Sequence, residues 1–519
     1  MLGTLAFSAR LLYAANCDAL KDIRLQDTTI TRAERVTSGD VEGPGIDTPF
    51  HGLPAFCRVT GVLRPTTDSE IRFEVWIPEN DWNGRFLGVG NGGFAGSIYY
   101  QQLAGSLKRS FATAGSDAGH QADAEDASWA FGHPEKVKDF GWRAVHLTAE
   151  RAKAIVAAYY GKPAAKAYFD SCSDGGREAL MEAQRFPEDY DGILAGAPAN
   201  NWVHMVSSGV DVAQAVRGDP RSYISSLKLP AIQRASLAAC DSQDGVKDGI
   251  ISDPEKCHFA PEVLLCKGDG SGVDSIECLT RPEVNSLKKL YQGGVDSRGE
   301  SIFPGFVPGD ETSWRHWVVG MGPGSASGDG YVRNYFRYMV SGDPKWNVLT
   351  ANVDASLKQA AAETGGELDA TNPDLSKFAA HGGKLIVYHV WNDQAISPWN
   401  SIHYYESVQK AMGEKAESVV RLYMAPGVEH CASGPGPSFF GQLGLPTSGA
   451  SKYGIFDSLV DWVEKGTAPA SIVATKYEPG ANGAQKVEMT RPLCAYPQVA
   501  KYKGSGDTND AANFACSSE

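Results

Sequence analysis

The chain has 519 residues, of which 42% are hydrophobic and 21% charged, and its formal net charge is −14. That is enough apolar material for a large core, and interspersed charge without low-complexity tracts excludes a disordered or fibrous chain. An acidic surface repels phosphate backbones and anionic headgroups, so the sequence points away from nucleic acid and membrane surfaces and leaves small neutral or aromatic substrates open.

At the N-terminus, "MLGTLAFSARLLYAANCDAL" holds short apolar runs broken by Arg10 and reads as the remnant of a signal peptide whose start lies upstream. No later stretch has the length of a spanning helix. Residues 54–90 read as strands, since "IRFEVWIP" alternates and "RFLGVG" is a short apolar run ending in glycines. "NGGFAGS" (91–97) is then a loop in which backbone can approach a ligand. Residues 143–160 carry helical periodicity, "AKAYFD" is a strand, "GREALMEAQRF" a helix, and 190–199 the next strand and loop. From about Trp202 the alternation stops, and residues 202–376 hold Asp- and Gly-rich loops and clustered aromatics. Strands follow at 382–393 and 419–431 and an amphipathic helix at 453–466. The expectation is a mostly parallel α/β catalytic domain (1–201 and 377–519), with 202–376 inserted as a lid over the C-terminal edge of the sheet, where open α/β sheets bind ligands.

The sharpest local signal is "FDSCSDGGREALMEAQRF" (169–186), a strand, a tight turn at Ser173 and a helix. This is the layout of a nucleophile elbow, with Ser171 and Gly175 as the small flanking residues, so the usual G-x-S-x-G is half matched. The plainer reading is that Ser173 caps the helix. Partners weigh against that reading. Asp393 stands just past the strand 384–390, and His430, in "APGVEHC", just past 419–425, in the chain order nucleophile, acid, base. His389, inside a strand, and His120, in "SDAGH", are rival bases.

Ten cysteines lie at 17, 57, 172, 240, 257, 266, 278, 431, 494 and 516, with no C-x-x-C among them. An even count on loop-rich sequence fits five disulfides and an oxidising compartment, secreted or periplasmic, against the alternative of buried free thiols. Cys172 precedes the candidate nucleophile and Cys431 follows the candidate base, so a bridge between them would tether serine to histidine.

Cys172-Ser173, Asp393 and His430-Cys431, together with "WNGRFLGVGNGGFAG" and the tail "RPLCAYPQVAKYKGSGDTNDAANFAC", resemble the tannase and feruloyl esterase family over nearly the whole chain. Elbow and tail are especially similar to its bacterial branch that includes mono(2-hydroxyethyl) terephthalate hydrolase. The resemblance implies an α/β-hydrolase fold with a lid and a serine esterase acting on aromatic esters. It implies an oxyanion hole from the backbone amides of Asp174 and Gly93. It also implies the pairings Cys17–Cys57, Cys240–Cys257, Cys266–Cys278 and Cys494–Cys516.

"CDSQDGVKDGIISDPEKC" (240–257) sets three aspartates within eight residues, a pattern of hard oxygen donors that suits calcium, although the twelfth-position glutamate of an EF-hand is absent and a solvated acidic turn is the alternative. The resemblance implies a structural calcium site here from Asp241, Asp244, Asp248 and the carbonyls of Val246 and Ile250. In the insertion, Trp314, Trp317, Tyr331, Tyr335 and Phe336 are candidate walls for an aromatic acyl group. By resemblance Trp317 matches an aromatic lid residue and Ile396 stands where the terephthalate branch has phenylalanine. The lid arginine of that branch has no clear equivalent in "GPGSASGDGYVRN", where Arg333 is near but displaced. The expected substrate is therefore a small ester of a hydroxycinnamic or gallic acid, with a terephthalate monoester as the alternative. The alternative of another class is a calcium-dependent extracellular binding protein on an inactive scaffold.

Overall fold

The strands β1 (Thr28–Val36), β2 (Phe56–Leu63), β3 (Ile71–Pro78), β4 (Arg85–Val89), β5 (Ala112–Ser116), β6 (Lys166–Cys172) and β7 (Gly192–Gly196) precede residue 200 in the computed structural model. A short ribbon of β8 (Gly293–Val295) and β9 (Ser301–Pro304) follows, then β10 (Lys384–Val390) and β11 (Val420–Ala425). The residues described are 16–37, 41, 50–267, 275–445, 454–478 and 486–518, and the stretch read as a leader remnant falls largely outside them. One nine-stranded sheet has the order β1-β2-β3-β5-β4-β6-β7-β10-β11, parallel from β5 through β11 and antiparallel among β1, β2, β3 and β5. This is an α/β-hydrolase-like architecture.

In β7 every residue is buried, and in β6 and β10 all but the first, because helices cover both faces of the parallel part. β10 shows the two faces directly. Leu385 and Val387 join the apolar cluster that holds Ile155 of the helix Ala144–Tyr160 and Leu180 of the helix Asp174–Arg185. Ile386, Tyr388 and Val390 join the opposite cluster, which holds Phe456 and Leu459 of the helix Ile455–Lys465. β1 is different: "TTITRAERV" lies at the sheet edge with one buried residue, and its polar texture hid it in the sequence.

Between β7 and β10 the chain forms the helices Trp202–Arg217, Leu229–Cys240, Arg281–Gln292 and Val353–Leu368 besides the β8–β9 ribbon. Part of this segment has an apolar cluster of its own, with Ile232, Leu279, Leu287 and Trp314. The helix Trp202–Arg217 instead packs Trp202, Val203 and Val206 into the main core. Trp314, Tyr335 and Phe336, candidate pocket walls in the sequence, are core residues, at most 3% exposed. Past the last helix, β12 (Ser471–Tyr477) pairs with β13 (Val487–Cys494), and β14 (Val499–Tyr502) with β15 (Phe514–Ser517). The ten cysteines form Cys17–Cys57, Cys172–Cys431, Cys240–Cys257, Cys266–Cys278 and Cys494–Cys516. Among the described residues no helix is long and apolar enough to cross a membrane.

Candidate active site

β6 ends at Cys172, and Ser173 turns the chain into the helix Asp174–Arg185 with φ 68° and ψ −123°. That backbone region is strained for any residue with a side chain, and it lifts the hydroxyl off the end of the strand. The turn closes because its flanks are small. A Cβ on Gly175 would lie 2.0 Å from Ser171 Oγ, and one on Gly176 2.2 Å from the Gly196 carbonyl. The Ser173 side chain makes no capping hydrogen bond. It faces His430 instead, whose Nε2 is 2.8 Å from Ser173 Oγ.

His430 Nδ1 lies 2.8 and 3.0 Å from the two oxygens of Asp393. Asp393 Oδ1 also accepts the backbone N–H groups of Ala395 and Ile396, each at 2.8 Å. Gln394 Oε1 accepts the His430 amide at 3.0 Å and so fixes the histidine loop against the aspartate loop. Burial opposes the Asp393 charge, but His430 and the hydrogen bond from His389 outweigh it and hold the carboxyl below the usual carboxylate range.

The rival histidines are placed elsewhere. His120 sits 2.7 Å from the Phe94 carbonyl and stacks on Trp129 at 3.7 Å, and burial lowers its pKa to about 4. His389 is buried in β10 with Nδ1 2.7 Å from Ser401 Oγ, and its Nε2 lies 3.2 Å from Asp393 Oδ2. It therefore supports the carboxylate and is no base for Ser173. Its spacing to Asp393, four residues on, was visible in the sequence; that both side chains turn to the same side was not.

The Cys172–Cys431 bridge joins positions 259 apart in sequence with their Cα atoms 5.9 Å apart, so Ser173 and His430 each neighbour one bridged cysteine. A second clamp was not anticipated. Glu178, on the elbow helix, accepts the Asn91 amide at 2.8 Å, and the Asn91 carbonyl accepts the Gly175 amide at 2.8 Å. These bonds lock the loop after β4, which carries Gly93, onto the elbow, which carries Asp174. Gly93 has φ 63°, and a Cβ there would lie 2.5 Å from the Ala124 carbonyl. Asp174 opens its helix, so its amide has no acceptor within the helix. Its side chain is tied back to Arg177 at 2.6 Å.

Ser173, His430, Gly93 and Asp174 line a single cavity of about 490 Å³. Trp317, Tyr331 and Ile396 line it too. The Trp317 and Tyr331 rings are parallel with centroids 5.7 Å apart, and the Trp317 ring lies 5.9 Å from that of His430. Arg333 is not among the lining residues; its guanidinium lies beside Gly330. The helix Ser327–Asn334 turns Gly328, Asp329, Tyr331 and Val332 to the cavity instead.

The aspartate loop is away from this cavity. Asp241 accepts the amides of Gly249 and Ile250 at 3.0 and 3.2 Å, Asp244 accepts the Val246 amide at 2.9 Å, and Asp248 pairs with Arg491 at 2.5 Å. Burial pushes the Asp248 pKa up against the pull of Arg491, and Asp244 and Asp241 push the same way. Among the described residues, the side-chain donors that converge within 4.8 Å are His146, Glu182 and Asp189, not the loop aspartates. Lys153 Nζ lies 3.1 Å from Asp189, and burial raises Glu182 well above the carboxylate range, so this trio is neutralised from within.

A family model described as tannase and feruloyl esterase matches residues 57–517. An uncharacterised esterase of Xanthomonas campestris is 41% identical over 99% of this chain and 94% of its own length. A probable feruloyl esterase B of Aspergillus clavatus is 31% identical, covering 99% of this chain and 98% of that protein. The crystal structure of feruloyl esterase B from Aspergillus oryzae superposes with a TM-score of 0.88 at 29% identity, over 96% of this chain and 99% of that one. The chain thus belongs to the tannase and feruloyl esterase family, as a carboxylic ester hydrolase on an α/β-hydrolase-like fold.

Proposed function

We propose that this ester hydrolase is a serine esterase that cleaves esters of hydroxycinnamic or gallic-type aromatic acids through an acyl-enzyme. Ser173 Oγ attacks the ester carbonyl while His430 Nε2 takes its proton. Asp393 holds the imidazole in the tautomer that leaves Nε2 free to accept. The amides of Asp174 and Gly93 stabilise the oxyanion, where loss of one donor costs on the order of 10²–10³ in rate. The carbon–oxygen bond to the alcohol breaks, and His430 returns the proton to the leaving alkoxide. Water then attacks the acyl-serine by the same route and releases the acid.

The observation that carries this reading is the continuous hydrogen-bonded series from Asp393 through His430 to Ser173, opening on a cavity walled by Trp317 and Tyr331. That series also argues against an inactive binding scaffold. The five disulfides support an oxidising compartment, secreted or periplasmic. Burst release of p-nitrophenol from a short-chain ester, and steady turnover of methyl ferulate, are expected from the wild type and absent in Ser173→Ala. Turnover retained by Ser173→Ala would sink the reading.

For the aspartate loop we propose a structural calcium site from Asp241, Asp244, Asp248 and the carbonyls of Val246 and Ile250. The donors are all oxygen, as suits a hard divalent cation, and Asp244 and Asp241 push the Asp248 pKa up. Bound there, the ion would offset that repulsion and hold the loop closed by Cys240–Cys257.

A further inference from the structure

The wall of the cavity over Ser173 is apolar around the end of the helix Trp202–Arg217, where Val212, Ala213, Val216 and Val332 face it. Into this apolar stretch the lid presents one carboxylate, Asp329. Arg217 stands behind it, with Nη2 2.9 Å from Asp329 Oδ1 and both side chains 14% exposed. Among the described residues Asp329 accepts no side-chain or backbone hydrogen bond, and its partner is the Arg217 ion pair. A carboxylate offers about four lone-pair sites, so most of its capacity to accept from protein donors is unspent. Burial pushes the Asp329 pKa up, and Arg217 with Arg333 pull it back. Trp317 and Tyr331 form a parallel wall running from His430 to the lid helix that bears Asp329. Ser173, this aromatic wall and Asp329 line one cavity, so an acyl group bonded to Ser173 shares its space with this carboxylate.

We propose that Asp329, backed by Arg217, is a specificity residue that accepts a hydrogen bond from a ring hydroxyl of the acyl group, so that the site selects phenolic acids and rejects aromatic diacids. The proposal rests on the aromatic-esterase reading given above. A phenol brings the missing donor and no charge. A second carboxylate would meet like charge in a poorly solvated pocket, with Arg217 already engaged, and like-charge juxtaposition works strongly against a partner. Arg217 is thus present but masked.

The test is calorimetric binding to the Ser173→Ala protein, which holds the ester without turning it over. Methyl ferulate is compared with methyl 3-methoxycinnamate, which has hydrogen in place of the 4-hydroxyl and no added bulk. Ferulate is expected to bind at least tenfold tighter, and equal affinity would overturn the proposal. With Asp329→Asn added, the ratio should fall, because a neutral amide oxygen accepts more weakly than a carboxylate, while monomethyl terephthalate binds more tightly, because Arg217 is released. An unchanged ratio together with unimproved terephthalate binding would also overturn it. If Asp329→Asn does not fold, the two ligands on the intact pocket still decide. Turnover of methyl ferulate by the wild type, measured alongside, separates the readings: its absence removes the aromatic-ester reading, whereas the affinity ratio bears on Asp329 alone.

Discussion

Ser173, Asp393 and His430 are held by backbone and covalent bonds as well as by side chains, whereas Trp317, Tyr331 and Asp329 across the cavity are held by packing and one ion pair. On the sheet side the strained elbow, two glycines with no room for a Cβ, the amides on Asp393 and the Cys172–Cys431 bridge each restrict the same few atoms. Across the cavity, in the segment between β7 and β10, Trp317 and Tyr331 stack on each other, and Asp329 leans on Arg217. Under the proposed reading, the chemistry, which tolerates little displacement, falls on overdetermined atoms, and substrate choice falls on surfaces that can change without disturbing it.

The comparison breaks first if the triad is wrong. His430→Ala should lower kcat by about ten-thousandfold with an unchanged melting temperature, measured on p-nitrophenyl acetate. Near-normal turnover would remove His430 as the base. The bridge comes next. Replacing Cys172 and Cys431 together by serine should lose roughly a hundredfold in kcat, because misplacing Ser173 against His430 by about 1 Å costs that much. The same change should remove up to about 5–6 kcal/mol of stability in the chain-entropy account of a loop this long. Replacing Cys266 and Cys278, far from the triad in sequence, should cost stability and leave kcat within about twofold; equal kcat losses for the two pairs would erase the contrast.

The proposed calcium site sharpens the comparison from the segment between β7 and β10. Chelation should lower the melting temperature and leave the KM of the folded enzyme little changed, since a ligand of the native state stabilises by mass action. Asp244→Ala should reproduce the shift, and no shift with either would dismiss the site.

The smallest effect concerns pH. Burial pushes Asp170, on β6, up to about 7, and burial with Glu429 does the same to Asp310, on the lid. Their unfolded pKa is about 3.9. The folded protein therefore binds these protons more tightly, and stability falls as pH rises from about 4 to 7. Asp170→Asn should remove its share of that slope, so the wild type's advantage over the variant in thermal scans shrinks from pH 5 to pH 8. An advantage that grows with pH would contradict the assignment.

Much of this was legible in the chain because it is local. The elbow needs a strand, a serine, small neighbours and a helix, all within "FDSCSDGGREALMEAQRF", and steric exclusion at Gly175 and Gly176 acts over a few residues. Apolar runs at 384–390 and 420–425 announce buried parallel strands, and Asp393 and His430 follow them directly. The adjacency of Cys172 to Ser173 and of Cys431 to His430 made their bridge readable too. Edge strand β1 escaped because half-exposed polar strands carry no apolar run.

What the tertiary structure alone decided is which side chains turn toward one another across distant segments. Arg333 and Asp329 share a helix, yet Asp329 lines the cavity and Arg333 does not. Trp314 and Trp317 are three residues apart, yet one is core and the other wall. Asn91 and Glu178 show no motif, and meet because β4 and β6 are neighbours in the sheet. Turn chemistry and burial period are short-range and are written in the order of residues. The direction a lid side chain faces follows from packing among the helices Trp202–Arg217 and Ser327–Asn334 and the sheet beneath them, a balance of contacts between parts of the chain more than a hundred residues apart.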